Sequence, residues 1–299
     1  MCHLRAASGI SAGFGLAAAL AVLFALAAPA PAQNTDTFNP MPLDGRFGPI
    51  DARPPSTPLD EIIKKFSAKE TEFQEAINHY TYRRTARVDT INNQQNIDGE
   101  WYEEDDVLFT PDGRRAEKTV YSPENTLKRI LLTPSDLQDI EGLYSFVLTT
   151  DEVPAYNITY VGRQKVDEVY CYVFDISPKQ MQKNHRYLLG RIWVDDHDPQ
   201  ILITSGRIVP DNTKTGHQDL HPPFMTWRDQ VDGRYWFPVY TKSEGFLQFA
   251  GARGHSGLDV HIREVVKYSA YKRSGSPTKI ISNGHEVQNQ SLAAPPQQK

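Results

Sequence analysis

Apart from one long amphipathic stretch near residue 60, the segments of this chain that look structured are short and alternate in polarity. Each is joined to the next by only a few turn-forming residues. Short joints force neighbouring strands to run antiparallel, because a parallel partner needs a crossover of a dozen residues or more. Strands are expected at 80–90, 99–110 and 114–121, with Asn92-Asn93 and Pro111-Asp112-Gly113 as turns. Eight more are expected near 145–150, 155–161, 168–176, 186–195, 201–209, 225–231, 234–242 and 261–271. Gly162, residues 195–199 and Asp232-Gly233 read as turns between them.

The exception is a helix expected over 59–80. Thr57 can cap it, Pro58 suits its first position, and Asp60 and Glu61 suit its positive end. Leu59, Ile62, Ile63, Phe66, Phe73 and Ile77 form an apolar stripe, with Lys64, Lys65, Lys69, Glu70 and Glu75 mostly off it. A second helical stretch, broken at Pro134, is expected over 122–140. Helices early and strands late give an α+β fold: one large curved antiparallel sheet of about eleven strands, with helices on one face.

The chain starts with a basic touch at His3 and Arg5, an uncharged apolar run over 9–28, and Ala30-Pro31-Ala32. That order reads as a cleavable secretory signal over 1–32, from which the protein is expected to work outside the cytoplasm. An uncleaved run would tether it to the membrane instead. Cys2 precedes the apolar run, so it is not placed for a lipoprotein anchor. Arg5 is the only charge in 1–32, so its loss takes 32 basic residues to 31, against 37 acidic ones, a net charge of −6. An acidic chain argues against nucleic acid as a partner. Cys171 is left as the only cysteine, so no internal disulfide can form. Residues 33–56, rich in proline, read as a linker, 57–283 as the folded domain, and 284–299 as a disordered tail.

No catalytic constellation stands out. Glu103-Glu104-Asp105-Asp106 cannot converge on one face of a strand, so a solvated hairpin is expected. His217 and His221, with Asp211 and Asp219, have helical spacing for zinc but are followed by Pro222-Pro223, and a polar loop is expected. Asp195-Asp196-His197-Asp198 suits a hydrogen-bonded turn. Gly254-His255-Ser256-Gly257 lacks the last glycine of a nucleophile elbow. Cys171, between tyrosines, reads as a buried inert thiol. No enzyme activity, cofactor or metal is expected.

Two stretches carry a resemblance. One is Val161-Gly162-Arg163-Gln164-Lys165-Val166-Asp167 with Tyr170-Cys171-Tyr172-Val173-Phe174 and Pro178. The other is Arg191-Ile192-Trp193-Val194-Asp195 with Ile201-Leu202-Ile203, and the last strand from His261 to Tyr271 belongs with them. Together they resemble the periplasmic outer-membrane lipoprotein-sorting proteins, the LolA/LolB-like group. The resemblance implies an incomplete barrel closed by helices over an apolar cavity for acyl chains. It also implies an arginine latch on an early strand, for which Arg83, Arg84 and Arg87 are candidates. Strand parity offers Tyr82, Trp101, Phe109, Tyr172, Phe174, Trp193, Trp236, Phe237 and Tyr240 as cavity-facing. The expected function is a monomeric carrier of lipid acyl chains or lipoproteins, with a membrane protein as donor or acceptor. The alternative is an envelope sensor or scaffold of the same fold that grips a partner protein.

Overall fold

The computed structural model describes residues 47–109, 114–134, 136–137, 140, 146–182, 185–210, 222–249 and 258–273, with the backbone of 280–282 and 285–287. The expected signal over 1–32, most of the proline-rich lead, His217, His221, 254–257 and most of the tail lie outside them.

The strands are β1 (Phe47–Asp51), β2 (Tyr80–Ile91), β3 (Ile97–Phe109), β4 (Arg115–Tyr121), β5 (Tyr156–Val166), β6 (Val169–Pro178) and β7 (Tyr187–Asp195). They continue with β8 (Ile201–Val209), β9 (Phe224–Val231), β10 (Tyr235–Phe249) and β11 (Leu258–Arg273). All belong to one sheet in the order β1-β5-β6-β7-β8-β9-β10-β11-β2-β3-β4. β12 (Ile280–Ser282) and β13 (His285–Val287) form a separate two-stranded sheet, with β12 before and β13 inside the segment read as a tail. Every pairing is antiparallel. β1 and β4 remain as edges, so the sheet is an incomplete barrel, as the resemblance implied. It consists of two meanders, β2–β4 and β5–β11, joined where β11 pairs with β2.

One α-helix among the described residues, α1 (Leu59–Ile77), packs on one face. Ile62 and Phe66 enter a core with Phe174, Ile176, Leu188 and Val266, and the Phe66 and Phe174 rings lie 5.8 Å apart. Phe73 meets Phe237 at 5.4 Å. Thr57 does not cap this helix: Pro58 takes the N-cap position without a side-chain cap, and its carbonyl accepts from Glu61 and Ile62. The opposite face has its own cluster of Cys171, Val173, Trp193, Ile203 and Met225, with Phe47, Trp227 and Trp236 against it.

Other local expectations shift for identifiable reasons. β1 lies inside the segment read as linker: Phe47, Ile50 and Asp51 pair with β5 on either side of a register shift at Gly48-Pro49, so the edge strand accommodates its proline. Gly162 is not a turn but part of β5, where a Cβ would sit 2.5 Å from Ile50 Cγ2; the turn falls at Asp167, which has a positive φ of 49°. Pro134 does not break a helix but starts a turn of one. The Thr133 N–H donates to Asp136 Oδ2 at 2.7 Å and the Asp136 N–H to Thr133 Oγ1 at 3.3 Å, a reciprocal cap with Pro134 in the first position. Residues 122–128 and 130–133, expected to be helical, have no regular structure. Residues 146–149, expected in a strand, have none either.

β7 and β8 meet at Gly190 opposite Gly206. A Cβ on Gly190 would lie 2.3 Å from the Ser205 carbonyl oxygen and 2.7 Å from Gly206 Cα. Gly190→Ala therefore has to spread the sheet at its centre. It is expected to cost about 2–3 kcal/mol in urea unfolding, and an unchanged midpoint would mean that the strands do not approach so closely.

Candidate functional site

The position that governs this side of the molecule is Glu70. It lies four residues after Phe66 and three before Phe73, so it falls within the buried stripe of α1 and is 1% exposed. On β9, Phe224, Thr226 and Arg228 alternate onto the helix side. Arg228 Nη1 donates to Glu70 Oε1 at 2.7 Å and Nη2 to Oε2 at 3.0 Å. Nη2 also donates to the Phe146 carbonyl at 2.6 Å, and the guanidinium lies 4.7 Å over the Phe73 ring. One arginine thus joins the helix, the sheet and the segment leading into β5. The two-pronged geometry is the favourable one for a carboxylate.

Beside this junction is a cavity of about 580 Å³, in the range of small-molecule sites. Its inner wall includes Phe73 of α1, Tyr156 of β5, Tyr187 and Leu188 of β7, Ile208 of β8 and Tyr268 of β11, all buried. Gln74, Asp151, Glu152, Gln182 and His185 line it from exposed positions and make its polar mouth. The tyrosines are fixed as neutral groups. The Leu188 N–H donates to the Tyr156 hydroxyl at 3.2 Å, and the Tyr271 hydroxyl donates to the Pro238 carbonyl at 2.7 Å. Burial pushes Tyr156 up to about 12 and Tyr271 well above the usual phenol range. At the mouth, burial also raises the Glu152 carboxyl, against hydrogen bonds from Thr149. Such a chamber can hold an apolar body and present polar groups to its head.

The residues singled out from sequence are distributed over both faces. Tyr82 lines the cavity. Phe174 and Phe237 lie in the core beneath α1, and Trp101 and Tyr172 pack against that core. Trp193 and Trp236 belong to the opposite face, and Tyr240 sits with them, 5.4 Å from Trp227. The pairing of β10 with β9 shifts register between Pro238 and Tyr240, yet Trp236 and Tyr240, four residues apart, stay on one face as alternation requires. Phe109 ends β3, half-buried.

The three latch candidates bind carboxylates of β2–β4. Arg83 reaches Asp106 and Glu104, at 2.8 and 2.9 Å, Arg84 reaches Asp105 and Glu117, at 2.8 and 3.0 Å, and Arg87 reaches Asp89 and Glu100, at 2.8 and 2.7 Å. The arginine on α1's buried carboxylate is Arg228. The acidic run on β3 does send neighbours to opposite faces, but it is not a solvated hairpin: Asp105 is 1% exposed against Arg84.

Asp195 Oδ1 accepts from the His197 N–H at 2.8 Å, the expected local turn. Among the described residues no group of three or more metal-ligating side chains converges. No described helix is long and apolar enough to cross a membrane.

No family model matches the chain, and no curated protein matches it significantly. Among solved structures it is similar to a crystal structure of MucB, with 11% identity over 67% of this chain and 92% of that one, at a TM-score of 0.25. It is also similar to the complex of Pseudomonas aeruginosa MucA and MucB, with 8% identity over 70% and 99% and a TM-score of 0.22. Likeness at this level carries no argument about the chain, and the functional reading rests on the site.

Two outcomes test this geometry. Arg228→Met strands a buried carboxylate and is expected to cost about 3–5 kcal/mol in chemical unfolding. Adding Glu70→Gln should recover about 1–2 kcal/mol of that loss, whereas simple additivity would mean the pair is not coupled. Cys171 is fully buried, and burial pushes its thiol up to about 12. It should therefore stay unlabelled by a thiol reagent at pH 8 until the protein is unfolded.

Proposed function

We propose that this chain is a non-enzymatic binding protein of the periplasm that shelters the apolar part of an amphiphile, such as a lipid acyl chain. One observation carries the reading: a chamber of about 580 Å³ with a buried aromatic and aliphatic wall and a polar mouth, roofed by a helix pinned through Glu70 and Arg228. Burying apolar surface there favours binding by about 25 cal/mol per Å². The polar rim lets the head of the ligand keep its water. Release follows from lifting α1 or the 146–156 segment, which share the Arg228 junction.

A second reading, an envelope sensor or scaffold that binds a partner protein, is favoured by the edge strand β4. All seven of its residues are exposed, with Val120 at 45% and Tyr121 at 56%, and its outer edge can accept another strand. The MucB structures include a complex with MucA(peri); that pairing belongs to those proteins.

The fluorescent hydrophobe 1-N-phenylnaphthylamine should bind the delipidated protein saturably, with a Kd of about micromolar order. Ala155→Trp, at the cavity wall, should abolish the signal without changing the circular dichroism spectrum. A folded wild-type protein that shows no saturable binding would remove the carrier reading. A photo-crosslinker at Val120 that captures one envelope protein in cells would then favour the partner reading.

A further inference from the structure

The wall between Val147 and Asn157 has a chamber on each side. On one side Val147, Asp151, Glu152, Ala155 and Tyr156 face the 580 Å³ cavity beneath the C-terminal half of α1. On the other, Ile63, Val153, Pro154, Tyr156 and Ile158 give a groove of about 590 Å³ beneath the N-terminal half its apolar strip, and Asp60, Lys64 and Lys179 stand with polar residues around it. That groove continues through Ile158 and Thr159 into a further hollow of about 510 Å³, lined mainly by apolar residues: Pro54, Pro55, Pro58, Leu59 and Tyr160. Leu59 is 37% exposed there, although it belongs to the apolar stripe of the helix. Tyr156 forms part of both chambers. The dividing segment is tied to α1 by a long contact between the Thr71 and Thr150 hydroxyls, 3.5 Å, and by the Thr150 N–H donating to Thr71 Oγ1 at 3.3 Å.

We propose that the groove is the second chamber of the same site, and that the ligand is a two-chain amphiphile that straddles residues 149–156. One chain occupies the cavity and the other the groove under Ile63 and the hollow under Leu59 that continues it. The polar groups of Thr150, Asp151 and Glu152 between them meet the head. A single-chain amphiphile fills one chamber and leaves the other hydrated, so the second chain adds the burial of its own methylenes. This inference rests on the carrier reading.

The probes are 1,2-dioctanoyl-phosphatidylcholine and 1-octanoyl-lysophosphatidylcholine, both below their micelle concentrations, displacing 1-N-phenylnaphthylamine. The wild type should prefer the two-chain lipid by more than about tenfold. Thr159→Trp and Asn157→Trp replace exposed residues of the groove, so both should keep the wild-type thermal midpoint. Each should bring the preference to within about twofold of unity. A preference that stays above tenfold in both folded variants overturns the second chamber and leaves the first intact, because both chains then share the cavity. A wild type that binds both lipids equally well overturns it likewise. A wild type that binds neither lipid nor the fluorescent probe overturns the second chamber and the carrier reading together.

Discussion

A glutamate and an arginine, both almost completely withdrawn from water, hold the helix to the sheet. Two such charges persist in a core only when each satisfies the other and the remaining hydrogen-bonding capacity is met. Here the carboxylate of Glu70 takes both prongs of Arg228, and the guanidinium takes up a third acceptor at Phe146. The helix could have been glued to the sheet by leucine in that position at lower risk. An ion pair instead specifies one registry of helix, strand and segment, because a shift of either element strands a charge. The cavity sits beside that junction, so its roof is set by a directional bond as well as by apolar contact.

The rest of the fold supplies the space. An antiparallel sheet usually shows one face to water, which gives a clean alternation of polarity. In β6, β7 and β9 both faces are apolar, since Phe174 and Ile192 serve the helix side and Val173, Trp193 and Met225 the other. The sheet is therefore stiff where the cavity is built. The Gly190–Gly206 approach lets β7 and β8 lie closer than side chains would permit. The resulting chamber is walled by strands that meet in the second meander and by the one helix that bridges the two.

The pattern of alternation made ten of the sheet's eleven strands, their antiparallel sense and the position of α1 legible, because period and turn chemistry are local properties. Connections between distant segments were not. Glu70 looked like part of the wet face because it is charged, although its spacing from Phe66 and Phe73 places it on the dry one. Its partner 158 residues away leaves no local mark. Arg83, Arg84 and Arg87 drew attention as a cluster, and they answer instead to the carboxylates of β3 and β4. Trp236 and Phe237, adjacent on one strand, could not both face one chamber, because alternation sends neighbours to opposite faces. Thr133 and Asp136 show the reverse case: a capping pattern was present in the sequence, and Pro134 was the start of the turn it caps.

An apolar chamber with a wet rim, under a helix pinned by a buried ion pair, is what the proposal of an amphiphile carrier rests on. Native mass spectrometry of the protein purified without detergent from the cells that make it tests this most directly. The account predicts a discrete adduct of lipid mass that is released on mild collisional activation and is missing from the Ala155→Trp protein. A folded wild-type protein that shows only its bare polypeptide mass would contradict it.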